Sequence, residues 1–243
     1  MNKHFRRSLA KGVPIAIGYM PIAIAYGVLS SVYGMPAWFV LASSAIVYAG
    51  SAQFMAANLM ITGTGVWEII LTTLVVNSRN LLLAAGLAHN LEAGATKSER
   101  LAVGSLTTDE LFSVALLEKH QALPPAYVIG IGLSGYLSWV VGTAFGIGLT
   151  DLLPPALASS MGIGLYAMFL GLLVPALREQ PQARLVTLIA VTMNLLLYAL
   201  ASLLGIGHGL TIFIATVSAV ALVTAAKERL QWQIKAMPFI FFC

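Results

Sequence analysis

The chain has 243 residues, 59% of them hydrophobic and 9% charged, with a formal net charge of +4. A soluble domain is about 45–50% apolar and roughly 25% charged, so the composition excludes an ordinary water-soluble enzyme or binding module and specifies an integral membrane protein. The basic residues lie mostly at the ends of apolar runs, as topological anchors do, which argues against a nucleic-acid partner, and the lone cysteine, Cys243, excludes an intramolecular disulfide or a thiol metal cluster.

Apolar runs fall at 12–33, 37–60, 66–88, 101–119, 125–149, 155–177, 184–204 and 209–226, punctuated by Pro36, Pro124-Pro125, Pro154-Pro155 and Pro181. At about 20 residues per crossing the chain has room for eight transmembrane helices, an all-α polytopic fold. The basic opening "MNKHFRRSLAKGVPIAIGYM" has the outline of a secretory signal, but the run continues through Val28 with Pro14 and Pro21 inside it and no persuasive cleavage site, so it is read as the first span. Proline within a span frees backbone carbonyls, which broken helices in transporters use to hold charged groups.

Segment 101–119, "LAVGSLTTDELFSVALLEK", is too polar to assign from hydropathy, because Thr107, Thr108, Asp109 and Glu110 lie within it. If it crosses and the N-terminus is cytoplasmic, Lys3, Arg6, Arg7, Lys11, Lys119, Arg178, Arg184, Lys227, Arg229 and Lys235 fall inside and only Lys97 and Arg100 outside. If it does not cross, most of the basic residues fall outside, against the positive-inside tendency. Eight spans with both termini inside is the expectation, and seven spans plus a lateral amphipathic helix is the alternative.

Weak internal repetition accompanies this layout. "LASS" at Leu41–Ser44 recurs at Leu157–Ser160, "NLLLAAGL" from Asn80 resembles "NLLLYAL" from Asn194, and "AYG" at Ala25 resembles "AFG" at Ala144, all at nearly one offset. The expected organisation is a first transmembrane repeat at 1–120, a second at 121–230, and a tail at 231–243. Parallel repeats follow from eight spans and inverted repeats from seven, and either favours a carrier over an enzyme. The polar chemistry is concentrated in the first half: Ser51 and Gln53 face Ala167 and Phe169 at the same offset, and Arg79 and Asp109 have no charged counterpart.

Three clusters carry that chemistry. In "YAGSAQFMAAN", Tyr48 to Asn58, Ala45, Ala49, Ala52 and Ala56 form a stripe suited to close helix packing, while Ser51 and Gln53 are polar groups that need partners when buried. In "TTLVVNSRNLLLAAGL", Asn77, Arg79 and Asn80 sit mid-span. An arginine there costs about 2.5–3.5 kcal/mol on insertion scales and normally faces a cavity or a partner. Counting from a turn at residue 95, Arg79 and Asp109 reach similar depth on successive helices, so Arg79 is expected to pair with Asp109 or Glu110, offsetting much of the desolvation of each. A carboxylate in such a place is also suited to loading and releasing a proton. "GIGLSG", Gly130 to Gly135, matches a dinucleotide fingerprint by letter only and reads as helix packing. His4, His89, His120 and His208 are scattered and offer no metal site, and no cofactor is indicated.

"FVLASSAIVYAGSAQF", "VVNSRNLLLAAGL" and "LTTDELFSVAL" resemble the blocks of the AzlC family of branched-chain amino acid exporters, over roughly residues 8 to 230. The resemblance implies the large subunit of a two-component exporter of valine, leucine, isoleucine and often methionine in the bacterial cytoplasmic membrane, with a small AzlD-type membrane subunit as partner. By resemblance, Gly50, Ser51, Gln53, Phe54, Asn77 and Arg79 are the substrate-binding positions, and Asp109 and Glu110 the proton-coupling ones. The family commonly has histidine after the arginine, where this chain has Asn80, so any coupling falls to Asp109 or Glu110. The expected mechanism places the aliphatic side chain in an apolar pocket, its carboxylate on Arg79, and its ammonium on Gln53 or an acidic residue, with protons exchanged inward. A membrane enzyme, an assembly subunit or a passive channel is the alternative.

Overall fold

A computed structural model describes residues 3–116, 122–160 and 181–204, with scattered positions at 163–178 and at 214 and 218. The chain is helical throughout these residues: α1 (Lys3–Val32), α2 (Ala37–Val47), α3 (Gly50–Ile61), α4 (Val66–His89), α5 (Lys97–Leu106), α6 (Asp109–Leu116), α7 (Pro125–Leu149), a 3-10 turn (Thr150–Leu152), α8 (Pro155–Ser160) and α9 (Pro181–Leu204). Among the described residues three helical stretches, Arg7–Val32, Val66–His89 and Pro125–Leu152, are long and apolar enough to cross a membrane. Most of the expected run at 209–226, the tail at 231–243, most of 155–177 and the positions Ala167 and Phe169 lie outside the described residues.

The punctuation in the sequence sets many of the ends. Pro36 and Pro124 precede α2 and α7, and Pro125 occupies the first turn of α7, where its missing N–H goes unused. Gly34 and Gly63 take positive φ after α1 and α3. The Met35 N–H then donates to the Ser30 carbonyl at 3.1 Å and the Thr64 N–H to the Leu59 carbonyl at 3.0 Å, closing both helices. Thr96 and Glu99 form a capping box at the start of α5.

Two expectations need correction. The run 37–60 is not one helix, because it breaks at Tyr48 and Ala49, and the run 101–119 breaks at Thr107 and Thr108. The alanine stripe drawn across 45–56 assumed a continuous helix, and Ala49 lies in the break. Conversely, α1 runs unbroken with Pro14 and Pro21 inside it. On α7, Ser138 donates to the Ala16 carbonyl of α1 at 2.6 Å, while Ser134 donates to Gly130 of its own helix at 3.1 Å with the Leu9 carbonyl 3.3 Å away.

The chain forms two compact units, one of Met1–Phe54 with Asn80–Leu165 and the other of Met55–Arg79 with Tyr166–Cys243. Within the first, α1 and α7 pack along their whole length. Gly12 meets Ser134, Ile15 and Tyr19 meet Gly135, Ala23 meets Gly142, and Gly27 meets Gly146. Residue numbers rise together, so the two helices run parallel. A Cβ on Gly27 would lie 3.0 Å from the Gly146 Cα, so only glycine allows the backbones this close; of "GIGLSG", Gly130 and Gly135 face α1, whereas Gly132 packs on Leu106 and Leu111. Ile15, Leu87, Val103, Leu111, Leu123, Val128 and Ile131 form the apolar core beside that seam.

Candidate functional site

Each interrupted helix resumes at one of the polar motifs. "GSAQF" opens α3, and Asp109-Glu110 opens α6. Each gap leaves backbone donors and acceptors without helical partners, and burial makes such groups costly. How the chain satisfies them defines the site.

At the first gap Tyr48 adopts a left-handed backbone, φ 42° and ψ 49°, which costs a non-glycine residue roughly 1–2 kcal/mol. Tyr136 on α7 donates its hydroxyl to the freed Ala45 carbonyl at 2.9 Å. On the other side, the Ala49 N–H donates to Gln53 Oε1 at 3.3 Å, and the Trp139 indole N–H donates to the same oxygen at 3.0 Å. Both of these groups can only donate, so the orientation of the amide is fixed. Gln53 Nε2 therefore faces the serines, donating to Ser43 Oγ at 3.2 Å and Ser44 Oγ at 3.0 Å. Thr143 donates to the Trp139 carbonyl at 2.9 Å, so Ser44 must donate to Thr143 across their 2.8 Å contact. Ser43 donates to the Val40 carbonyl at 2.7 Å, so Tyr26 donates to Ser43 at 2.8 Å. Gln53 is 3% exposed and uses both donors and both acceptor sites on protein groups. It ties α2, α3 and α7 together at the gap.

Around this network stands an aromatic cluster. Phe54 is buried with its ring edge-on to Tyr26, centroids 5.3 Å apart. Tyr19 meets Trp139 edge-on at 5.7 Å and Tyr48 at 6.3 Å, and Tyr48 meets Tyr136 at 5.2 Å. A Cβ on Gly50 would stand 2.7 Å from the edge of the Trp139 indole, so glycine is required there for the ring to reach Gln53. Ser51 is buried in the first turn of α3.

At the second gap two threonines divide the work. Thr107 donates its hydroxyl to the Val103 carbonyl at 2.8 Å, closing α5, and Thr108 Oγ1 accepts from the Leu111 N–H at 3.3 Å, capping α6. Asp109 and Glu110 fill the first turn of α6, where the helix dipole favours negative charge. The Tyr19 hydroxyl donates to Glu110 Oε2. Asp109 is partly buried, and its carbonyl accepts from the Ser113 hydroxyl at 2.8 Å.

Asn77 and Arg79 belong to the other compact unit. Arg79 is buried, in a stripe of α4 that runs through Thr72, Val75, Arg79, Leu83 and Leu87. Its burial agrees with the sequence reading. Among the described residues the buried Asn77 Oδ1 finds no hydrogen-bond donor, and no group of three or more His, Cys, Asp or Glu side chains is placed to hold a metal.

Of the positions singled out in the sequence, Gly50, Ser51, Gln53, Phe54, Asp109 and Glu110 fall in one unit and Asn77 and Arg79 in the other. Sequence reasoning missed Tyr19, Ser44, Trp139 and Thr143. Trp139 carried a usable signal, since an indole N–H in the middle of an apolar helix needs an acceptor. The threonine pair before two acidic residues is likewise a recognisable helix start.

An all-helical, multi-pass membrane protein with two interrupted helices and buried polar side chains at each interruption is thus defined. Residues 14–153, more than half of the chain, match the model of the AzlC protein, and the chain belongs to this family. It is 28% identical over 142 residues to the inner membrane protein YgaZ of Escherichia coli (strain K12), covering 57% of this chain and 58% of that one. It is 25% identical over 146 residues to the branched-chain amino acid transport protein AzlC of Bacillus subtilis (strain 168), covering 58% and 55%. An uncharacterized membrane protein of Archaeoglobus fulgidus is 28% identical over 140 residues, covering 58% and 60%. The chain therefore spans less than two thirds of the length of the curated relatives it matches. No solved structure matches it.

Proposed function

We propose that this chain is the large subunit of a proton-coupled exporter of the branched-chain amino acids valine, leucine and isoleucine, with methionine as a further substrate to be tested, in the bacterial cytoplasmic membrane, acting with a small AzlD-type subunit. The observation that carries the reading is the pair of interrupted helices, each resuming at a motif rich in polar residues. Carriers use such interruptions to expose backbone groups and charged side chains at mid-membrane depth, whereas a purely structural helix has no reason to accept their cost.

In this reading Arg79 takes the substrate carboxylate, since a buried guanidinium offers a planar pair of donors to it. The ammonium goes to Asn77 Oδ1, an acceptor in need of a donor. Gln53, with its amide already used in full, acts by holding the first gap in shape, and Gly50, Ser51 and Phe54 form that gap's wall. Asp109 and Glu110 carry the returning protons.

Topology enters the reading too. Parallel α1 and α7 favour an odd number of crossings between them, as when 37–60, 66–88 and 101–119 each cross, with both termini cytoplasmic. The contact of Gly27 with Gly146 joins the equivalent glycines of "AYG" and "AFG", which supports a parallel duplication of 1–120 and 121–230.

The test is efflux of valine and methionine from dipeptide-loaded cells producing this chain with and without the small partner, and with a proton uncoupler. Efflux is expected only with both chains and only when energised. Arg79→Ala should lower it by about a hundredfold, the loss of a charged pair, while the variant still inserts. Normal efflux from a stably inserted Arg79→Ala chain would overturn the reading.

A further inference from the structure

Tyr19 touches groups at both gaps of the first unit. Its hydroxyl donates to Glu110 at the start of α6, its ring meets Trp139 at 5.7 Å, and Trp139 donates to Gln53 at 3.0 Å. The ring also lies beside Gly135 of α7, where an added Cβ would sit 3.4 Å from Tyr19 Cε2 and 2.7 Å from the Tyr48 hydroxyl. Glycine at 135 thus leaves room for both phenols on one face of α7. The half-buried Tyr19 ring therefore packs against Trp139, Tyr48 and Gly135, and its hydroxyl, which also meets the Thr108 side chain, donates to the carboxylate.

We propose that Tyr19 is the positioning residue for Glu110, fixing the carboxylate at the second gap and joining it through the Trp139 ring to the amide that holds the first. The role in transport rests on the proposed function above; the assignment of Tyr19 to Glu110 does not. A phenol suits the task because it can donate to a carboxylate and also accept from a carboxylic acid. The contact therefore persists, with its direction reversed, when Glu110 gains a proton. Neither phenylalanine, which has no polar atom, nor lysine, which only donates, could follow that change. The rigid ring fixes the distance between α1 and α6 in both states.

Two readouts separate the parts of this proposal. The first is infrared spectroscopy on the full-length chain in lipid, with the Glu110 carboxylate band identified as the one lost in Glu110→Gln. Tyr19→Phe keeps the ring and removes the donor, so that band must shift, whereas Tyr48→Phe must leave it in place. An unmoved band in a folded Tyr19→Phe protein overturns the proposal. Should Tyr19→Phe fail to insert, uniform 3-fluorotyrosine labelling keeps every ring in place and strengthens every phenol as a donor. The Glu110 band must then shift, and an unmoved band again overturns the proposal.

The second readout is valine efflux with the small partner present. Tyr19→Phe should lower the maximal rate roughly tenfold, the loss of one charge-assisted hydrogen bond, with an apparent KM within about twofold of the parent. A raised KM with an unchanged maximal rate would assign Tyr19 to substrate binding and overturn a positioning role. Wild-type efflux in Glu110→Gln would overturn the role of Glu110 in transport and leave the infrared result standing.

Discussion

The two helix gaps meet the same backbone problem with opposite chemistry. At Tyr48-Ala49 the solution is neutral and closed, because every donor and acceptor of the Gln53 amide is used and the direction of each bond from Tyr26 to Thr143 is fixed by its neighbours. At Thr107-Thr108 the threonines close the backbone locally, and the first turn of the new helix holds two carboxylates, one of them bound by a phenol. A closed amide network gains nothing from changing state, since any rearrangement strands a buried group. A carboxylate and phenol can exchange roles with one proton. The difference assigns rigidity to the first gap and response to the second.

The sharpest way to break this comparison is Gln53→Leu. The substitution leaves the Trp139 indole N–H and the Ala49 N–H buried without an acceptor, at about 1–3 kcal/mol each. The variant is expected to unfold at lower denaturant in detergent micelles and to lose efflux through loss of folded protein. Unchanged stability would show that the network contributes little and that Gln53 is retained for another reason.

Gly50→Ala probes the same gap more gently. The added methyl meets the Trp139 edge at 2.7 Å, and displacing the indole should cost about 1–3 kcal/mol as overpacking. Tryptophan fluorescence should report the moved ring. Because Tyr19 packs against that indole at 5.7 Å, the Glu110 infrared band should shift as well, by less than in Tyr19→Phe.

The smallest effect lies at the far end of α5. The Thr96 N–H and hydroxyl hold the Glu99 carboxyl below its ordinary range, the backbone bond contributing most. A lowered folded-state value means that this contribution is complete above the ordinary carboxylate range and is lost as pH falls through the lowered value. Protection against hydrogen exchange at the first turn of α5, taken relative to the intrinsic rate at each pH, should therefore fall on acidification, and Thr96→Ala should remove that dependence without altering efflux. Glu99 is only partly buried, so the effect stays local.

Several features were legible in the sequence because they follow from solvent and local chemistry. A chain this apolar has to place its helices in lipid, prolines and glycines set many of the ends, and an arginine within an apolar run has to be buried on one helical face, as Arg79 is. The glycines of "GIGLSG" were legible as packing because nothing else explains small residues in an apolar helix. The helix gaps were not, since Tyr48 is neither glycine nor proline, and its left-handed conformation is held by Tyr136 and Gln53 rather than by its own preference. Hydropathy averages over such a gap and reports one continuous run.

Roles within the site divide along the same line. Composition and spacing by themselves determined that Gln53, Arg79, Asp109 and Glu110 are polar groups within apolar surroundings, because desolvation is a property of each residue. Which partner satisfies each group was decided only by tertiary structure. Trp139 lies 86 residues from Gln53 and Glu110 lies 91 residues from Tyr19, and no local pattern brings them together. Parallel packing of α1 on α7 does so, since glycines let the two backbones approach and carry Tyr19 and Trp139 to the two gaps at once.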